Sequence, residues 1–132
     1  MSLFLPTTLN VRYVGFNTAS GVSLSATASP GTTIVSLPVI VSLNTLNIIV
    51  VASVGLYNSG SSAVNETIQV FVDSNYINVG VTTVPAGGYA QATVNYVFSN
   101  LSLGSHTIGL AGYGGSLTAQ YAEITVLVIG YP

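Results

Sequence analysis

One imidazole, one guanidinium and three carboxylates supply the side-chain charge of this chain: His106, Arg12, Glu66, Asp73 and Glu123. Nucleophilic catalysis needs a nucleophile, a base within hydrogen-bond reach and a group that orients the base. There is no cysteine, and the imidazole directly follows Ser105. Neighbours on a strand point to opposite faces, so Ser105 and His106 cannot pair, and His106 reads as a structural side chain opening a strand after a glycine turn. Paired carboxylates fare no better. Glu66 and Asp73 fall at opposite ends of one expected strand, roughly 20 Å or more apart at about 3.3 Å per residue, and nothing in the sequence brings Glu123 to either. A metal site needs clustered His, Cys or acids, and a phosphate cradle needs a glycine-rich run that opens a helix. Neither pattern is present, so no catalytic residue, metal ligand or cofactor is expected, and the chain does not read as an enzyme.

Binding chemistry is equally sparse. Phosphate affinity comes mainly from Lys and Arg, and Arg12 stands alone without a lysine, so no nucleic-acid partner is expected. Eight tyrosines, among them Tyr76, Tyr89, Tyr96, Tyr113 and Tyr121, could stack on sugars. Spread over separate strands, they more often sit half buried with the hydroxyl at the surface. Carbohydrate contact is therefore left open with little to support it. Asn65-Glu66-Thr67 and Asn100-Leu101-Ser102 are acceptor sequons, which makes Asn65 and Asn100 candidate glycosylation sites if the chain meets the machinery.

The scarcity of charge bounds the role. Charged residues make up 3% of the 132 residues, against about 25% in an average soluble domain. The surface must then be built from Ser, Thr, Asn, Gly and Tyr. Such a surface neither repels its own copies nor steers charged ligands, and its hydrogen-bonding groups keep one state from strong acid to neutral pH. Unfolding should accordingly be nearly flat from about pH 2 to 7. No transmembrane helix is expected, because the longest apolar stretch, Ile48 to Leu56, is short and broken by Ser53 and Gly55. Disorder is excluded by a hydrophobic content of 49%. The length suits a single domain over residues 1–132. The start, Met1 to Pro6, is a short apolar arm without a basic region or a long hydrophobic region, so no signal peptide is expected.

The elements that must position these residues are strands. Apolar residues recur with period two, and Ser, Thr, Gly and Val fill the windows where a helix would want Ala, Leu, Glu or Lys. Candidate strands are 10–16, 22–28, 33–43, 46–57, 66–73, 76–84, 89–99, 106–113 and 119–129. Ser29-Pro30-Gly31, Asn58-Ser59-Gly60, Ser74-Asn75, Pro85-Ala86-Gly87-Gly88 and Gly112-Tyr113-Gly114-Gly115 punctuate them. Eight to nine strands at this spacing predict an all-β, immunoglobulin-like or Greek-key β-sandwich, with a jelly roll as the alternative.

Alternation within the strands is incomplete. In 123–129, Ile124, Val126 and Val128 should face the core, yet Leu127 and Ile129 on the other face are apolar too, and 46–56 shows the same doubling. Both faces should be covered, either by another copy or protein or by residues 1–44 of the same chain. Edges are unguarded as well: there is no Lys, and Pro38 is the sole mid-strand proline, where monomeric sandwiches use charge and proline against strand addition. Leu127 and Ile129, with Leu3, Phe4 and Leu5 of the terminal arm, are the candidate assembly contacts. The arm could insert into a neighbouring subunit, or fray.

From Leu46 onward a family likeness can be read. Asn47-Ile48-Ile49-Val50-Val51 leads to Tyr57-Asn58-Ser59-Gly60, Ser62-Ala63 and Ile68-Gln69-Val70-Phe71-Val72-Asp73. Ala86-Gly87-Gly88, Ala92-Thr93-Val94-Asn95-Tyr96 and Leu103-Gly104-Ser105-His106-Thr107-Ile108 follow. Over residues 46–130 this resembles the cell-adhesion-related (CARDB-like) immunoglobulin-like domain of bacterial and archaeal surface proteins, which implies a sandwich and specifies hardly any ligand. After Ile108 the chain departs from the family, with Gly109-Leu110-Ala111-Gly112-Tyr113 where members often carry acidic and Asn residues. Composition, in turn, resembles virion structural proteins of viruses infecting acid-loving archaea. The expectation is a non-enzymatic structural subunit of an extracellular assembly, a virion capsid or tail protein, whose partners are its own copies and other structural proteins. The alternative is a secreted surface adhesion module or a pilus or thread subunit.

Overall fold

The computed structural model describes residues 9–131. The arm residues Leu3, Phe4 and Leu5 lie outside the described residues. Eight strands follow one another: β1 (Asn10–Leu24), β2 (Thr32–Val41), β3 (Thr45–Tyr57), β4 (Val64–Val72), β5 (Asn75–Val84), β6 (Tyr89–Ser99), β7 (Gly104–Tyr113) and β8 (Leu117–Gly130). Seven of these match expected strands to within a few residues. The first two expected strands are one: Asn17 to Gly21, with the composition of a turn, continues β1 along the edge of its sheet. Two local devices permit this. Gly21 takes a positive φ of 65°, open to glycine at no steric cost, and Asn17 spends its amide on β2, donating from Nδ2 to the Ser36 carbonyl at 2.7 Å.

The strands form two antiparallel four-stranded sheets, ordered β1-β8-β3-β6 and β2-β7-β4-β5. Only β4 and β5 are joined within a sheet, by the two-residue link Asp73-Ser74 between the paired residues Val72 and Asn75; every other connection crosses between sheets. That is the double Greek key of a jelly roll. It replaces the immunoglobulin-like connectivity, in which neighbouring strands of one sheet are more often joined directly, while the sandwich that the cell-adhesion-related likeness implies stands. The likeness still marks real turns. Asn58 is buried and organises the β3–β4 turn, donating to the carbonyls of Ser62 at 2.8 Å and Val84 at 3.1 Å and accepting from the Gly60 N–H at 2.9 Å.

Between the sheets lies an apolar core. Ile48, Val50, Val54 and Leu56 of β3 and Ile124, Val126 and Val128 of β8 meet Leu37, Val39, Ile68, Val70, Ile108 and Leu110. β-Branched side chains suit a pleated, half-buried surface, and each such Val, Leu or Ile contributes about 1.5–3 kcal/mol when fully buried. The outer face of the β2-β7-β4-β5 sheet is finished by its own side chains. Phe71, 4% exposed, lies over Gly109 and stacks on Tyr76 at a centroid distance of 4.8 Å. Beside it buried Gln69 accepts from the Gly31 N–H at 2.9 Å and donates to Ser29 Oγ at 3.0 Å and Asn78 Oδ1 at 2.9 Å. Among the described residues the other sheet has no such dressing. Residues 9–44 do not cover it: β1 is its edge strand and β2 belongs to the opposite sheet.

Candidate functional site

The outer face of the β1-β8-β3-β6 sheet divides into an apolar and a polar half, and the register shows how. One row crosses all four strands as Tyr13, Leu127, Ile49 and Val97. Val11 and Ile129 pair on one side of it in a row completed by Asn47 and Ser99, and Phe16, Thr125 and Val51 align on the other in a row completed by Asn95. Val11 is 63% exposed, Tyr13 61%, Phe16 50%, Val51 43% and Val97 53%. Directly opposed side chains on a sheet lie about 4.5–5.5 Å apart, so these residues form one continuous surface. It ends where the next rows turn polar, as Thr18, Glu123, Ser53 and Thr93, then Ser20, Tyr121, Gly55 and Gln91. Glu123 is held there by Ser53 Oγ at 3.4 Å and the Tyr121 hydroxyl at 3.2 Å.

Around the end of the sandwich nearest the apolar half, a cleft of about 240 Å³ is lined by Val41, Leu43, Leu46, Phe98, Leu101 and Leu103. Leu43 is 85% exposed and Leu103 61%. The outer edge strands differ in their defences. β1 carries Arg12 and a bulge between Tyr13 and Gly15, and β2 carries Pro38. On the opposite side β5 carries a bulge at Val79, between Gly80 paired with Ile68 and Asn78 paired with Gln69, whereas β6 holds neither charge, proline nor bulge, so its free backbone groups are unguarded against strand addition.

Titratable groups gather at two places away from this face. His106 Nδ1 lies 2.7 Å from Asp73 Oδ2 and its Nε2 lies 2.6 Å from the Ser102 carbonyl. A carbonyl and a carboxylate only accept, so the form that satisfies both contacts is the protonated ring, which donates from both nitrogens. Those two acceptors, Ser102 first and Asp73 second, raise the His106 pKa. The Thr107 N–H, at 2.9 Å from Oδ1, and then His106 lower that of Asp73. Asp73, His106 and Ser102 thus stand in the order of a hydrolase triad, with Ser102 Oγ 3.5 Å from Nε2. The Nε2 proton is spent on the Ser102 carbonyl, so the ring has no lone pair to accept from the hydroxyl. What the arrangement does is clamp the β4–β5 turn to the loop before β7.

The second place is Glu66, wholly buried on the core side of β4. Its Oε1 accepts from the Gly115 N–H at 3.0 Å, while Oε2 has no partner. Burial raises its pKa, against the lowering effect of the Gly115 N–H. Gly112 and Gly114 leave room for it, since a Cβ there would come within 3.0 Å and 2.9 Å of its carboxylate oxygens. Among the described residues no three His, Cys, Asp or Glu side chains gather to hold a metal ion, and no helix is long and apolar enough to cross a membrane.

Of the expected site residues, Leu127 and Ile129 sit on the apolar half of the outer face, both half-buried. Asn65 is exposed on β4 and accepts from Thr83 Oγ1 at 2.7 Å, and Asn100 follows β6 with a positive φ of 59°. Sequence reasoning missed Val11, Tyr13, Phe16 and Val97 as members of the same face. Their signal, apolar residues on the side of the strand facing away from the core, was legible only once the register was known. It also missed Ser102 and Asp73 as partners of His106 and the inward turn of Glu66, none of which has a local signature.

No protein-family model matches the chain, and no curated protein matches it in sequence. Several solved structures align with it. A chain of infectious bursal disease virus, Gx strain, aligns at 11% identity over 93% of this chain and 38% of its own, with a TM-score of 0.48. The STIV MCP aligns at 14% identity over 94% of this chain and 48% of its own, with a TM-score of 0.43. The CBM36-1 domain of a xylanase from the hindgut metagenome of Trinervitermes trinervoides aligns at 16% identity over 95% and 98%, with a TM-score of 0.41. The chain thus spans less than half the length of the two viral chains, and is similar to virus proteins and to a carbohydrate-binding module alike.

Proposed function

We propose that this chain is a non-enzymatic structural subunit of an extracellular assembly, a capsid or tail component of an archaeal virus particle. The outer face of the β1-β8-β3-β6 sheet carries this reading: an apolar row spanning four strands, flanked by further apolar residues on β1, β8 and β3 and free of charge, on a sheet whose partner has finished its own outer face with Phe71, Tyr76 and Gln69. Surfaces of this kind mark sites of protein contact. With 3% charged residues, the remaining surface offers little repulsion to close neighbours. His106, clamped between Asp73 and the Ser102 carbonyl, and the buried Glu66, its pKa raised by burial, serve the fold in this reading, not a reaction. Its partners are copies of itself and other structural proteins of the particle. Density-gradient fractionation of the native source, followed by mass spectrometry, tests it. The chain should sediment with particles or filaments at a fixed ratio to their other proteins; recovery in the slow-sedimenting soluble fraction alone would overturn it.

A further inference from the structure

Resting on that proposal, we infer that the apolar half of the outer face is a homotypic interface, in which two copies pack β1-β8-β3-β6 sheets face to face with their strands antiparallel. The exposed side chains of Val11, Tyr13, Phe16, Val51 and Val97, with the half-buried Ile49, Leu127 and Ile129 between them, form an apolar patch centred on one row that crosses all four strands. The uncharged Asn47, Ser99, Thr125 and Asn95 complete the flanking rows, so the contact can extend beyond the patch towards the roughly 800 Å² per partner of a stable interface without meeting a charge.

Charge selects the occupant and the orientation. No charged side chain lies in the apolar rows, so a second copy of the patch meets it without repulsion or a buried unpaired charge. An acidic or basic partner would gain nothing here. The nearest charge on the face is Glu123, four residues along β8 from Leu127, or about 13 Å. A two-fold axis lying along the Tyr13–Leu127–Ile49–Val97 row sets the two Glu123 carboxylates on opposite sides of it. They are then about 26 Å apart, several Debye lengths at physiological salt. The polar halves diverge into water on either side. An axis parallel to the strands would instead carry the polar rows, Glu123 included, into the contact. The same axis places each residue of the row opposite its own copy, which gives the interface a signature.

Because the chain has no cysteine, single cysteines can read that signature in the full-length protein. Ile49→Cys should join to its own copy through a short bismaleimide, in most of the protein at micromolar concentration. Gln91→Cys, in the polar half, should cross-link at least tenfold less. Light scattering should show wild type as a dimer or larger, Val97→Lys shifted to monomer, and Thr93→Lys unchanged. Circular dichroism confirms that each variant is folded; because Val97 is an edge-strand residue, Val51→Lys provides a second disruption. A wild type that stays monomeric at every concentration, whether its face is bare or covered by residues 1–8 of the same chain, overturns the inference. So do larger assemblies indifferent to both lysine variants, although these would leave the structural-subunit proposal standing.

Discussion

His106 bonds Asp73 and the Ser102 carbonyl at once, through Nδ1 at 2.7 Å and Nε2 at 2.6 Å. A ring with two acceptors and no donor to meet is held in its charged form, and its partner carboxylate is held in its own. The His106 pKa lies above its ordinary 6.5, so the stability it contributes is complete below that value and is lost as pH rises through the folded-state pKa. The Asp73 pKa lies below its ordinary 3.8, so its contribution is complete above that value and is lost as pH falls through the folded-state pKa. The clamp should therefore be at full strength from about pH 4 to 6.5. Thermal unfolding of Asp73→Asn compared with wild type should show its largest deficit inside that window and a smaller one at pH 2 and at pH 9. An NMR titration should place His106 above 6.5.

Glu66 tilts the profile in the same direction on the neutral side. Its pKa is raised by burial, so the folded state favours the proton; stability is greatest below the ordinary value of 4.5 and falls as pH rises through the folded-state pKa. Glu66→Gln retains an acceptor for the Gly115 N–H and cannot ionise. It should match wild type near pH 3 and exceed it in Tm at pH 7. A variant less stable than wild type at both values would contradict this account of the buried carboxyl.

Composition alone suggests a flat response to pH, because so few groups titrate. Placing those groups turns flatness into a shallow maximum in mild acid. The difference arises because Glu66 faces the core and His106 meets a residue 33 positions away, facts of topology that no local pattern encodes. Strand positions were legible because alternation in segments such as Ile124, Val126 and Val128 is set by the core they bury. Pairing was not. The jelly-roll order and the union of residues 10–24 into one strand depend on which strands meet, and an edge strand such as β1 tolerates Asn17, Ser20 and Gly21, which read locally as a turn. Leu127 and Ile129 were identifiable as outward apolar residues, but the row they share with Tyr13 and Val97 appears only with the register.

Gly109 has no side chain because Phe71 crosses it. A Cβ there would lie 2.6 Å from Phe71 Cζ and 2.6 Å from the Val35 carbonyl oxygen. Overpacking of this kind typically costs about 1–3 kcal/mol, so Gly109→Ala should lower the denaturant midpoint with the slope unchanged. Adding Phe71→Ala should not restore it, because the clash with the Val35 backbone remains.

Ile48 and Val51 lie close together on β3 and on opposite faces, which separates folding from assembly. Ile48, 1% exposed, should cost about 2–5 kcal/mol as Ile48→Ala. Val51→Ser should change monomer unfolding by no more than about 0.5 kcal/mol, as surface substitutions do, while weakening self-association in analytical ultracentrifugation. Equal effects of the two on unfolding would mean that the outer face is part of a core.

Cryo-electron microscopy of particles or filaments from the native source tests the central claim most directly. The chain should appear as a repeated subunit with the row of Tyr13, Leu127, Ile49 and Val97 buried against a neighbour. Particles that lack the chain, or that contain it with this row facing solvent, would contradict the claim that packing through this sheet is what the protein does.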